Sequence, residues 1–362
     1  MSYAAKMIWT VSTPLVMSLG IIGNIMMLIV LLHRRTKKSP TTVFLTVIAC
    51  SDLLTLITIT PRWTLIYLFR IDVRHFGNFM CKLHWFLTYV APNISVWNLV
   101  AVTIERLVVT VLPYKAKQYF TKQLAIKVSI GIIVILSLIH THIIYGFSLK
   151  ELSIPAPSNN EITSTVVGCN VTASGLNTTC SPTVSNVSNP QPVGSIKVCW
   201  IFNVGYLDFY NNIQSVLMLA IYSICPVTVF VVCGVIVVLK VANSMRKSRT
   251  SKNKSDSKPK NMSSQVTVTV LLINTTFIVC TTPLQVFGAG LKIWVDPVKG
   301  MTPIQEVAWA IVNQMFYINH AINFLLYFMT GQKFREQWLN IFTCKSKTQD
   351  STNTKDSKAS TE

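Results

Sequence analysis

Thr103–Tyr114 reads TIERLVVTVLPY, with a glutamate and an arginine side by side inside a long apolar run. A charge at the centre of a membrane helix costs at least about 2.5–3.5 kcal/mol on insertion scales. What the pair does there depends first on the solvent that the surrounding chain expects. Working outward, Leu83–Ile104 contains no Asp, Glu, Lys or Arg, and neither do Met7–Leu32, Val128–Leu149, Phe209–Leu239, Asn261–Leu291 or Val307–Gln332. A bilayer core needs roughly 20 apolar residues in a helix, and each run is long enough. Thr41–Phe69 is equally long, although it carries Asp52 and Arg62. With 51% hydrophobic and 12% charged residues, the 362-residue chain is far from a soluble domain, where about a quarter of residues are charged. The expectation is an all-α membrane protein, a bundle of seven spans over about 8–32, 41–69, 79–112, 125–148, 207–239, 265–291 and 304–329.

Basic residues set the orientation. They cluster in HRRTKK after the first span, in the loop after the third, in Lys240–Lys260 and in the tail from Lys333, which together hold 22 of the 32 Lys and Arg. Cytoplasmic loops carry such an excess, so the amino terminus is expected outside. The net charge of +19 is then a topology signal, with anionic lipid as its contact rather than nucleic acid. The first segment has too long an apolar core for a cleavable signal peptide, and only Lys6 precedes it.

The long polar connection Glu151–Tyr206 carries three glycosylation sequons, at Asn170, Asn177 and Asn186, on the side assigned as extracellular. Cys81, Cys169, Cys180 and Cys199 lie on that oxidising side. A Cys81–Cys199 bridge would pin the long loop over the bundle, and Cys169 with Cys180 is then the remaining pair. Cys344, beside basic residues after the last span, suits reversible palmitoylation or stays a free thiol.

The polar residues inside the spans resemble those of the rhodopsin-like G-protein-coupled receptors, from Gly20 to Phe342. GIIGN ends at Asn24, and IACSDLL holds Asp52. Cys81 stands 25 residues before Arg106, ERL covers Glu105–Leu107, and Pro113 follows seven residues after the arginine. Pro226 fits a fifth-helix proline, and Phe277, Cys280 and Pro283 fit a sixth-helix pattern. NHAINFLLY, Asn319–Tyr327, resembles the seventh-helix motif. Phe334 follows in GQKFREQW, expected as a short amphipathic helix over 331–342, completing a receptor domain over 1–344 before a tail over 345–362. The chain departs from the pattern at Leu107, Gly234, Thr281 and Phe324, where the family usually has tyrosine, tyrosine, tryptophan and proline.

The resemblance implies that Glu105, Arg106, Leu107 and Pro113 form the G-protein-coupling end. Pro226, Phe277, Cys280, Thr281, Pro283, Asn323 and Tyr327 would carry activation. It implies a sodium ion at Asp52, Ser95, Asn319 and Asn323, where a protonated, hydrogen-bonded Asp52 is the competing reading. Thr88 occupies the place of the amine-gripping aspartate and Tyr317 that of the retinal-linking lysine, which argues against amine and retinal ligands. Arg62, Trp63, Trp85, Thr88, Tyr89, Gln285, Trp309, Asn313 and Tyr317 are the expected ligand-binding set. Aromatic walls with one deep cation suit an anionic or carbonyl-rich ligand end, and a large mouth suits a peptide. In the other reading Arg62 snorkels outward, while Trp85 and Trp309 form an interfacial belt.

The function expected is thus a plasma-membrane receptor, of neuropeptide type, that activates heterotrimeric G proteins and meets a receptor kinase and arrestin through its basic third loop and Ser/Thr-rich tail. A chemosensory receptor of the same fold is the alternative. A transporter is the rival from another class, but no internal repeat is visible. His140, His142 and His320 form no metal or nucleophile motif, so an enzyme is not expected.

Overall fold

Apolar length decides the architecture, because a helix satisfies its own backbone where no water can. The computed structural model describes residues 2–33, 39–155, 192–250, 261–296 and 299–342. Cys169, Cys180, the three sequons and Cys344 lie outside these residues. Six helices are long and apolar enough to cross a membrane: α1 (Tyr3–Leu32), α2 (Pro40–Phe69), α3 (Asn78–Val111), α4 (Lys122–Gly146), α5 (Val204–Asn243) and α6, whose apolar part is Thr267–Leu291 of the helix Asn261–Trp294. The seventh, α7, comprises Pro303–Ala321 and Asn323–Thr330, and α8 is Gln332–Phe342. A short helix, Pro113–Tyr119, begins at the loop proline.

Local chemistry fixes the ends. Ser2 caps α1 by accepting from the Ala5 N–H, so the helix starts before the expected residue 8. Thr302 and Gln305 form a reciprocal capping box at the start of α7. Arg70, with φ 59°, stops α2 in the left-handed conformation that glycine usually takes there. Prolines and their neighbourhoods shape the interiors. α2 is interrupted at Ile59, two residues before Pro61, and a π-helical turn at Leu219–Ile224 precedes Pro226. The pyrrolidine removes one N–H and crowds the preceding turn. α7 breaks at Ile322 although Phe324, not proline, follows Asn323.

Burial is inverted relative to a water-soluble bundle. Leu15, Leu19, Ile22, Ile25 and Ile29 form an exposed apolar stripe on α1, and Val231, Val235 and Val238 another on α5. Asn24, Asp52, Asn98, Glu105 and His320 are buried inside. Such apolar outer faces are what a lipid tail covers.

The fourth span ends sooner than expected. Helix α4 stops at Gly146, and Phe147 opens strand β1 (Phe147–Pro155), which pairs antiparallel with β2 (Pro192–Ile201). The cause is packing. A Cβ on Gly146 would lie 1.8 Å from the Tyr206 ring, so only glycine fits. Phe147 stacks on Trp85 at 4.5 Å, drawing the strand over α3. Cys199, opposite Leu149 in the ladder, is bonded to Cys81 at the first turn of α3.

Candidate functional site

At the hairpin end, α2, α3, α5, α6 and α7 enclose a cavity of about 540 Å³, within the size range of small-ligand sites. All nine residues of the expected ligand-binding set line it. Arg62 does not run outward: its Nη2 bonds Asp72 Oδ2 at 3.1 Å, and its guanidinium lies 4.4 Å from the Trp63 ring. Asp72 also accepts from Arg74, at 3.0 Å from Nε and 2.7 Å from Nη2. Arg74 sits 5.4 Å from the Trp85 ring and lines the cavity as well. Two cations thus share one carboxylate. Burial alone would push the Asp72 carboxyl up, but the Arg74 hydrogen bond and the charges of Arg62 and Arg74 outweigh it and hold it well below the usual range.

Aromatic side chains back the lining. Trp9 meets Trp63 at 5.2 Å, and Trp63 stacks on Tyr67 at 5.9 Å. Tyr89 and Tyr210 share a short hydroxyl–hydroxyl hydrogen bond. Among the described residues no hairpin side chain lines the cavity. Phe147 and Trp200 instead brace Trp85 and Tyr210 from behind. Asp72, Arg74, His84 and Tyr210 escaped the sequence reading; for Asp72 and Arg74 the contiguous IDVRH between two apolar runs was the available signal.

At the bottom of the cavity, Tyr222 and Phe316 line its floor and touch each other, and Tyr222 also touches Phe277. Thr281, fully buried, turns its hydroxyl back to the Phe277 carbonyl at 2.6 Å, so it fills little of the space that a tryptophan would take. Pro226 and Pro283 sit within α5 and α6, and Cys280 is partly buried.

Asp52 lies deeper. Its Oδ1 accepts from Ser95 Oγ at 2.7 Å and from His320 Nδ1 at 2.7 Å, and its Oδ2 accepts from Asn323 Nδ2 at 2.6 Å. His320 stood outside the expected set, whereas Asn319 lines a void of about 10 Å³ beside Ser95, Asn323 and Tyr327. That is space for about one water. The donor set does not fit a sodium ion. A hard cation wants converging oxygen lone pairs, and here an imidazole and an amide direct N–H groups at the carboxylate.

At the opposite, basic end, the neighbours Glu105 and Arg106 do meet. Arg106 Nη2 reaches Glu105 Oε1 at 2.7 Å, and Thr41 Oγ1 donates to the same oxygen at 2.8 Å. Glu105 is 1% exposed. One turn inward, Asn274 Nδ2 donates to Thr103 Oγ1 at 3.1 Å, joining α6 to α3. Tyr327 and Phe324 both pack on Phe334, seating α8 against α7. Leu107 is partly buried, and Pro113 is exposed at the start of its short helix.

The chain matches the family model described as 7 transmembrane receptor (rhodopsin family) over residues 23–159 and 149–327. It is similar to neuromedin-U receptor 2 of Rattus norvegicus, 24% identical over 348 residues, covering 93% of this chain and 76% of that protein. The Homo sapiens neuromedin-U receptor 2 is 23% identical over 329 residues, covering 90% and 69%. Over a shorter stretch of 91 residues, covering 25% of this chain and 24% of that protein, it is 35% identical to neuropeptide Y receptor type 1 of Xenopus laevis.

Proposed function

Because the chain belongs to the rhodopsin family of seven-transmembrane receptors, we propose that its cavity receives the end of an extracellular peptide and that this binding is passed to a heterotrimeric G protein at the Arg106 end. It is a multi-pass membrane receptor, not an enzyme. On this reading it works at the plasma membrane with its amino terminus and hairpin outside. The basic loop and tail face the cytoplasm, where a receptor kinase and arrestin act on the active form. The observation that carries the reading is that, among the described residues, Arg62 and Arg74 line an aromatic cavity while sharing the one carboxylate of Asp72. The site retains a net positive charge beside hydrogen-bonding groups, which complements the carbonyl-rich or anionic end of a peptide. Peptide-named relatives support the same class.

In a ligand-induced mechanism only differential affinity moves the equilibrium. A peptide end drawn toward Arg62 and Arg74 presses on the floor formed by Tyr222 and Phe316, whose neighbour Phe277 belongs to α6. Displacement of α6 would part Asn274 from Thr103 and open the space in front of Arg106. The test is a screen of amidated and free-acid peptides on cells expressing the full chain, read by nucleotide exchange on G proteins. A peptide that drives exchange, and loses potency in Arg62→Ala, is the expected result. Activation by small odorants with no response to any peptide would overturn the ligand class.

A further inference from the structure

Asp52 and His320 are both fully buried, away from the cavity and from the Arg106 end. We infer that His320 takes the place that the family resemblance gives to a sodium ion, so that the Asp52 centre is closed to sodium. Three protein donors already occupy the carboxylate, two of them on Oδ1. An ion entering against Oδ1 would have to displace the imidazole N–H or face it directly, and like-signed partial charges at that distance repel.

His320 is also held from three sides. Its backbone carbonyl accepts from Asn24 Nδ2 at 2.9 Å, and Phe316 packs edge-on to its ring at 4.8 Å. Its chain neighbour Ala321 lies so close to α1 that a Cβ on Gly20 would be 2.7 Å from the Ala321 Cβ. With the backbone fixed in this way and the ring fully buried against Phe316, the imidazole can swing aside to admit an ion only if its packed neighbours move. The adjoining void, about 10 Å³, is too small to take an ion together with its hydration water.

The test uses the purified full-length receptor and sodium itself as the probe. Melting temperature is compared in sodium chloride and in N-methylglucamine chloride at equal ionic strength. The wild type is expected to melt identically in both. His320→Ser, which replaces the N–H donor with a small oxygen ligand, should gain a sodium-specific rise of ~2 °C or more, and adding Asp52→Asn to it should abolish that rise. Sodium-specific stabilisation of the wild type that disappears in Asp52→Asn overturns the assignment. So does a folded His320→Ser that stays blind to sodium. Should His320→Ser fail to fold, His320→Asn supplies the same comparison, and the wild-type result decides on its own. None of these outcomes depends on the ligand class, so the sodium result and the peptide reading can fail separately.

Discussion

Asp72 holds two guanidinium groups at once, and this determines what Arg62 can offer a ligand. Removing Arg62 leaves the tighter Asp72–Arg74 pair in place. Arg62→Ala should therefore keep surface expression while lowering peptide potency at least about 10-fold, the loss of one charge-assisted hydrogen bond. Asp72→Asn behaves differently: it leaves two buried cations without an anion and should lower the melting temperature. Its pH signature has a definite sign. A carboxyl held below its unfolded value contributes stability that is present above that value, about 4, and is lost as pH falls through the folded value. The melting-temperature gap between wild type and Asp72→Asn should thus stay constant from about pH 5 to 8 and narrow only in stronger acid. The nine expected residues that line the cavity were legible because each is an aromatic or polar exception in an apolar run. Asp72 and Arg74 lie outside the apolar runs, where charge in a short connection is ordinary, so only their clustering in IDVRH marked them. His320 was hidden between the motif residues Asn319 and Asn323, where the spacing drew attention to the amides.

Helices meet at a few polar contacts, and those contacts set the resting balance between them. α6 is tied to α3 by Asn274 and Thr103, and α2 is tied to the Glu105–Arg106 pair by Thr41. A buried hydrogen bond contributes about 0.5–1.5 kcal/mol between neutral groups, as at Asn274, and about 1.5–3 kcal/mol to a charged group, as at Thr41, or roughly a 2- to 150-fold change in an equilibrium. Asn274→Leu and Thr41→Val should each raise ligand-free nucleotide exchange within that range; exchange at the wild-type level would show that neither contact restrains the active form. α1 and α7 are joined by close contact as well as by polar bonds, from Asn24 Nδ2 to the His320 carbonyl at 2.9 Å and from Gln314 Nε2 to Thr13 Oγ1 at 2.7 Å. Gly20→Val should destabilise the receptor by about 1–3 kcal/mol through overpacking on Ala321 and Leu56, read as a lower melting temperature. At this scale hydropathy placed the seven spans, because the bilayer requirement is a composition signal read over many residues, whereas it gave no sign of the short helix Pro113–Tyr119. The two-stranded hairpin was not legible, because its strands flank a long polar stretch and its position depends on Trp85, 62 residues before Phe147. Nor was the break at Ile322, which no proline announces.

In the whole molecule, one disulfide couples the two levels of the hairpin end, closing a sequence separation of 118 residues between Cys81 and Cys199. In the chain-entropy account such a closure stabilises a folded chain by roughly 4–5 kcal/mol. Its consequences should nevertheless be unequal along the bundle. Cys199 holds β2 on the first turn of α3, and the next turns of that helix carry Trp85 and Tyr89 into the cavity. Phe147 and Trp200, held in register by the same ladder, keep Trp85 from turning away. The Thr103–Asn274 and Glu105–Arg106 contacts lie some five turns further along α3 and share no side chain with the hairpin. Cys199→Ser should therefore lower peptide potency by more than about 10-fold while leaving ligand-free exchange per surface receptor unchanged. Phe147→Ala separates the two contributions, because it removes the brace behind Trp85 and keeps the bond. If the brace matters as argued, Phe147→Ala reproduces much of the potency loss with a smaller fall in melting temperature. A variant that lost ligand response and ligand-free exchange in equal measure would instead show that the hairpin end and the Arg106 end fold as one indivisible unit, and the separation of binding from output along α3 would have to be abandoned.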